Sequence, residues 1–275
     1  MKYIISLIIC TVLGNSLYAQ KGSYADVNGV RLYYEVYGEG EPLVFLHGFT
    51  MSHKMWEEWV DDFTNHFKVI LVDLRGHGNS SNPSNIFRHR ESAKDIFALL
   101  DHLKIDKFKA MGYSSGAMTL LHMATMDSSR LEAMALLGAS SYYPEVCRNI
   151  LGSIKYENLG ESWLNSLKNY QPGGETQIRK LLKQFNDFAE TYDDMNFTNP
   201  YLSKIKSSTL IIHGDRDQLF PIDIPVDLYK SIPDSYLWII PDFMHDSMQN
   251  DIWLDYYIKM VNHFFTGQFI NNPKF

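Results

Sequence analysis

Short, almost wholly apolar runs punctuate the chain, and longer stretches with helical spacing lie between them. Residues 43–46 carry no polar position, and residues 68–72, 131–137, 209–213 and 236–240 are apolar almost throughout. Runs of this kind mark strands buried on both faces. The beginning differs. Residues 24–27 and 30–37 flank Asn28-Gly29, a two-residue hairpin signal, and Leu32, Tyr34 and Val36 alternate there with Tyr33, Glu35 and Tyr37. Helical spacing predicts helices over residues 54–66, with Met55, Trp56, Trp59, Val60 and Phe63 on one side, and over 88–103, 224–230 and 252–265. Residues 107–123 read as a short strand, a sharp turn and a helix.

Buried strands alternating with helices imply an α/β class, a mostly parallel central sheet of about eight strands with helices on both faces. The rhythm breaks between residues 140 and 203, where no strand is evident. Ile178, Leu181, Leu182, Phe185, Phe188, Ala189 and Tyr192 recur there at helical spacing, and Pro144, Pro172-Gly173-Gly174 and Pro200 punctuate the segment. The chain therefore divides into a core over 20–139 and 204–275 and a helical insertion over 140–203. The insertion holds Tyr142, Tyr143, Tyr156, Trp163, Tyr170, Phe185, Phe188, Tyr192, Phe197 and Tyr201. More than half of these are expected to pack its own core, and the rest to wall a pocket. In sheets of this class the functional site lies beyond the carboxyl ends of the strands. That rule gathers residues 47–49, 73–80, 114, 215–220 and 243–246 into one neighbourhood.

Composition narrows the picture. Apolar residues make up 45% of 275 positions and charged ones 21%, enough apolar side chains for a substantial core. The net charge is −7 and the basic residues do not cluster, which argues against a nucleic-acid partner. Met1-Lys2, an apolar run from Ile4 to Leu13 and Leu17-Tyr18-Ala19 before Gln20 form the layout of a secretory leader over residues 1–19. Its apolar stretch is short for a membrane span, so an exported protein without a stable span is expected. Cys10 leaves with such a leader, and Cys147 then stands alone, without a disulfide partner.

The candidate chemistry centres on Gly112-Tyr113-Ser114-Ser115-Gly116, a G-x-S-x-G nucleophile elbow in the strand–turn–helix context that the motif requires. Ser114 is the candidate nucleophile. The glycines relieve crowding around a strained turn, and the helix that follows aims its positive end at the same spot. A serine hydroxyl needs a base. Of ten histidines, His66, His102, His122 and His263 fall within helices, and His213 ends a buried strand, where a structural hydrogen bond is expected. His47 and His77 are held in glycine turns. His245 follows the last strand and is the candidate base. The base needs a carboxylate to fix its tautomer. Asp217 is favoured over Asp215, which is expected to close its own turn, and over Asp246, the sequence neighbour of His245.

The order nucleophile, acid, histidine, with His47-Gly48-Phe49, the run Asp73 to Ser80, the elbow, Gly214-Asp215-Arg216-Asp217 and His245, resembles the α/β-hydrolases of the type with a helical lid after the sixth strand. The resemblance spans about residues 24–265. It implies an oxyanion hole built from the N–H groups of Phe49 and Ser115. It also implies cleavage of a small to medium carboxylic ester through an acyl-enzyme, without cofactor or metal. The His-Gly-Phe turn lacks the His-Gly-Gly-Gly of the hormone-sensitive-type lipases, and a serine nucleophile separates the chain from the dehalogenase and epoxide-hydrolase branches. A small-molecule substrate with an apolar acyl or aryl group is the expected partner. Two alternatives stay open: a carbon–carbon hydrolase of ring-fission products, and a ligand-binding sensor on the same fold with negligible turnover.

Overall fold

Eight strands form one sheet in a computed structural model that describes residues 20–246 and 251–269. The leader expected over residues 1–19 lies outside the described residues. The strands are β1 (Gln20–Val27), β2 (Val30–Tyr37), β3 (Glu41–Leu46), β4 (Phe67–Val72), β5 (Phe108–Tyr113), β6 (Leu131–Leu137), β7 (Ser208–Gly214) and β8 (Ser235–Ile240). Their order is β1-β2-β4-β3-β5-β6-β7-β8. β1 and β2 form the expected hairpin, with φ of 45° at Asn28 and 76° at Gly29, as a primed two-residue turn requires. β2 runs antiparallel to β4, and every pairing from β4 to β8 is parallel.

The apolar runs bury both faces because side chains alternate across a strand. Leu43 and Phe45 of β3 point into a cluster with Trp56, Trp59, Phe63 and the helix α9 (Asp251–Phe265), which contributes Tyr257, Val261 and Phe265. Val44 and Leu46 point the other way, toward Ile96 and Leu100 of α2 (His89–His102), Leu121 of α3 (Ser115–Met126) and Leu228 of α8 (Asp223–Ser231). Residues 54–66 differ from expectation. They form a 3₁₀ helix over His53–Trp59 and one α-helical turn, α1 (Val60–Phe63). A spacing of three, as between Trp56 and Trp59, serves either helix, because a 3₁₀ turn places i and i+3 directly in line.

Between β6 and β7 lie α4 (Glu145–Ser153), α5 (Glu161–Tyr170), α6 (Gly174–Asp187) and α7 (Asn199–Leu202). The only strand-like pairing among the described residues of this segment is one isolated bridge, Tyr142 with Asn196. Its aromatic side chains are less buried than expected: of the ten named above, only Tyr143, Phe188 and Phe197 are buried. Several others lie under or against flat surface partners. The Arg148 guanidinium sits 3.8 Å over the Tyr192 ring and that of Arg179 3.9 Å over Tyr156, while Tyr201 stacks on Phe197 at 5.7 Å. The segment roots in the main core through Cys147, Leu151, Leu181, Phe188 and Met195, and adds a small cluster of its own from Leu167, Ile178 and Leu182.

Candidate active site

The turn after β5 is built by exclusion. A Cβ on Gly112 would lie 2.5 Å from the Ala117 nitrogen, and one on Gly116 would lie 2.1 Å from the Leu46 carbonyl oxygen at the end of β3. Only glycine lets α3 start this close to the sheet. Between them Ser114 takes φ 49°, ψ −114°, a left-handed conformation that costs a non-glycine residue on the order of 1–3 kcal/mol. The Ser114 N–H donates to the Leu137 carbonyl at 2.8 Å, and its own carbonyl accepts the Met118 N–H at 2.9 Å. Both peptide groups of the strained residue are thereby anchored.

His245 reaches this turn from the loop after β8. Its Nε2 lies 3.0 Å from Ser114 Oγ and its Nδ1 2.7 Å from Asp217 Oδ2. A carboxylate accepts, so the proton rests on Nδ1 and leaves Nε2 free to accept the serine proton. The ring is fixed on several sides. Tyr113 stacks on it at 5.5 Å and Phe220 meets it edge-on at 5.1 Å. The Tyr113 hydroxyl donates to the His245 carbonyl at 2.7 Å, and Gln218 Oε1 accepts the His245 N–H at 3.2 Å. A Cβ on Gly138 would stand 3.1 Å from the ring.

Asp217 is held as firmly. Its Oδ1 accepts the N–H groups of Leu219 and Phe220, both at 2.8 Å, in an Asx turn. Burial pushes its carboxyl up, but the hydrogen bond and charge of His245, with His213 and the Phe220 N–H, outweigh burial and hold it below the ordinary carboxylate range. Asp215 does not close its own turn as expected. It accepts the Phe243 N–H of the neighbouring loop at 3.4 Å, because β7 and β8 end side by side. Asp246 is exposed. His213 donates to the Phe220 carbonyl at 2.8 Å, the structural bond expected of it. His47 donates to the Gly48 carbonyl at 2.8 Å and accepts the Leu74 N–H at 3.0 Å, while His77 donates to the Arg75 carbonyl at 3.0 Å.

Ser115 opens α3, and Phe49 sits in the turn closed by Met51 N–H to Gly48 O at 3.1 Å. Neither N–H finds an acceptor among the described residues. Both residues line one cleft of about 690 Å³ with Ser114 and His245. Thr50, next to Phe49, holds φ 64°, a genuine outlier for a β-branched residue. The Phe49 ring is pinned by His77, Phe87, Phe185 and Phe188, with centroids 4.6–5.0 Å away. The cleft walls are Met118, Tyr143, Cys147, Leu151, Trp163 and Phe185 among others; among the described residues the lining holds no lysine or arginine, and Asp246 is its one carboxylate. Burial pushes the Cys147 thiol up to about 12, which leaves no thiolate to act as nucleophile. Among the described residues no group of three or more His, Cys, Asp or Glu side chains is arranged to hold a metal ion.

Several contributors were illegible in the sequence. Tyr113 and Gln218 orient His245 from positions that no motif marks. Asp194, deep in the insertion, takes the His89 N–H at 2.7 Å and His89 Nδ1 at 2.8 Å, and His89 Nε2 lies 3.1 Å from Ser115 Oγ. The pairing joins residues more than a hundred positions apart, and no local pattern announces it.

Residues 41–170 match the family described as alpha/beta hydrolase fold. The AB hydrolase superfamily protein YisY of Bacillus subtilis (strain 168) is 27% identical over 76% of this chain and 86% of its own length. The 2-hydroxy-6-oxo-6-(2'-aminophenyl)hexa-2,4-dienoic acid hydrolase of Metapseudomonas resinovorans is 21% identical over 82% of this chain and 84% of its own. Among solved structures, the enol-lactonase from Burkholderia xenovorans LB400 superposes with a TM-score of 0.72 at 24% identity, covering 89% of this chain and 100% of that one. The chain matches the α/β-hydrolase superfamily over residues 41–170 and has the sheet and helical layers of that fold.

Asp217→Asn is expected to lower turnover about 10⁴-fold, by favouring the wrong histidine tautomer, while Asp215→Asn stays close to wild type. Steady-state rates of the two variants on one ester decide this, and equal losses contradict the assignment of the acid.

Buried histidines set a pH dependence of stability. Burial lowers His47 to about 4, His77 to about 3 and His122 to about 4. The unfolded chain takes up these protons below about pH 6.5, whereas the fold refuses them until about pH 4. Their stabilising contribution is therefore complete above the ordinary histidine range and is lost as pH falls, by up to about 1.4 kcal/mol per group per pH unit. His53 opposes this: burial works against its proton, but the hydrogen bond and charge of Asp73, with Glu35 and Glu57, raise it. Burial lowers His213 as well, so four groups outweigh one and the melting temperature should fall steadily from pH 7 to pH 5. A flat or rising profile contradicts this reading.

Proposed function

We propose that the protein is a serine hydrolase that cleaves a neutral carboxylic ester of small to medium size with an apolar acyl or aryl group. One observation carries the reading: the Ser114–His245–Asp217 chain of hydrogen bonds, at 3.0 and 2.7 Å, opens on a cleft whose described residues include no lysine or arginine. His245 takes the Ser114 proton as Oγ attacks the ester carbonyl, and Asp217 stabilises the imidazolium that forms. The N–H groups of Phe49 and Ser115 hold the oxyanion; removing one such donor typically costs about 10²–10³ in rate. His245 then protonates the departing alcohol, and water, activated by the same histidine, releases the acid from Ser114. The composition of residues 1–19 supports an exported enzyme, and the helical segment above the cleft supports a lid that selects the acyl group.

Carbon–carbon cleavage of a ring-fission product is a second reading, supported by the Metapseudomonas resinovorans relative, whose named substrate is an acid. The cleft favours the ester reading, because it offers a carboxylate no cationic partner among the described residues.

A panel of p-nitrophenyl esters of rising acyl length, run beside a dienoic-acid ring-fission product, separates the two. Turnover of the esters is expected, with loss of about 10⁴–10⁶-fold in Ser114→Ala. Cleavage of the dienoic acid without ester turnover, or near-wild-type rates in Ser114→Ala, overturns the proposal.

A further inference from the structure

Buried polar groups of the insertion reach both segments that supply the oxyanion donors, the Phe49 turn directly and Ser115 through His89. Gln171, at the junction of α5 and α6, is 1% exposed. Its Nε2 donates to the carbonyls of Thr50 at 2.8 Å and Met51 at 3.1 Å, and its Oε1 accepts the Gly78 N–H at 2.8 Å. Both donor hydrogens of the amide therefore hold the turn that carries Phe49, at the residue whose φ is 64°. Without the amide, Thr50 can relax toward a negative φ and turn the neighbouring Phe49 peptide with it.

The second contact works on the other donor. Asp194 follows α6 in the insertion and is 3% exposed. Its carboxylate accepts three donors at the start of α2: the His89 N–H, His89 Nδ1–H and the Arg90 N–H at 3.1 Å. Arg88, the residue that precedes α2, makes no side-chain capping bond of its own, so Asp194 caps the helix from a distant segment. With its Nδ1 proton committed to Asp194, His89 presents an Nε2 lone pair that accepts the Ser115 hydroxyl at 3.1 Å. Ser115 is 3% exposed and is the first residue of α3.

We propose that Gln171 and the Asp194–His89 pair are positioning residues that fix the Phe49 and Ser115 N–H groups from two sides, so that the insertion sets the electrostatics of the transition state as well as the shape of the cleft. This rests on the serine-hydrolase reading above and goes beyond it. Preorganised donors act only if they are already aimed when the oxyanion forms, and a displacement of a fraction of an ångström weakens them in the transition state more than in the ground state. Loss of either clamp should therefore appear in kcat and leave KM nearly alone.

The test uses the full chain with p-nitrophenyl butyrate as substrate and n-butylboronic acid as inhibitor. The boronic acid becomes a tetrahedral anion when Ser114 Oγ adds to boron and the hydroxyl proton passes to His245 Nε2. Gln171→Met and Asp194→Asn are each expected to lower kcat about 10- to 100-fold, short of the 10²–10³ for outright removal of a donor. KM should stay within about twofold, and the inhibition constant of the boronic acid should rise by the same factor as kcat falls. The combined variant should show roughly the product of the two losses, as independent contacts do. Melting curves verify that each variant is folded at the assay temperature. Should Gln171→Met not fold, Ser115→Ala removes only the hydroxyl that His89 holds, and weaker boronic acid binding is again expected. Folded variants with unchanged kcat and boronic acid affinity, or with losses confined to KM or melting temperature, overturn the clamp proposal alone. A wild-type protein that neither turns over the ester nor binds the boronic acid overturns the hydrolase reading and this proposal with it.

Discussion

The structure depends on one strained residue and on the two close approaches that hold it. Ser114 adopts φ 49° and ψ −114° only because Gly112 and Gly116 let α3 begin against the end of β3, with no space for a Cβ at either position. That constraint fixes the order of everything else. β5 must be flanked by β3 and β6, because the Ser114 N–H is anchored on Leu137 of β6 and Gly116 packs on Leu46 of β3. A central parallel strand needs helices on both faces, and the two apolar clusters provide them. The strain is small beside the burial that opposes its release, which is how folds hold functional residues in unfavourable conformations.

Around that point, the site is a series of polar groups withdrawn from water and each given a partner. Asp217 has lost its solvent but gained two N–H donors and a histidine, so its charge is retained. His47, His77 and His213 lie close by and stay neutral, serving as hydrogen-bonding spacers between loops. The difference lies in the company each keeps. His213 Nε2 donates to the Phe220 carbonyl and stands 3.5 Å from Asp217, whereas His245 Nδ1 meets the same carboxylate at 2.7 Å, close enough for it to stabilise a transient imidazolium.

Much of this was readable in the chain, and the reasons differ between elements. Strands buried on both faces announce themselves as apolar runs, so β3 to β8 were visible, and the glycines of the elbow were visible because sterics leave no other residue for those places. Asp217 could be separated from Asp215 by its place further along the loop. What escaped the sequence depends on long-range geometry. The spacing of Trp56, Trp59 and Phe63 does not distinguish a 3₁₀ helix from an α-helix. The aromatic content of the insertion overstated its core, because cationic side chains cover several of those rings at the surface. Gln171 and Asp194 lie in a segment with no motif, and their partners are brought to them only by the fold.

The central claim is that the Ser114 hydroxyl, deprotonated by His245, is the atom that bonds to the substrate. Its most direct test is an acid-quenched reaction with p-nitrophenyl butyrate, followed by peptide mapping in a mass spectrometer. A butyryl group on the peptide that carries Ser114, appearing in the first turnover and decaying as substrate runs out, is the predicted result. Product release with no acyl group on that peptide, or with the acyl group on another residue, contradicts the account.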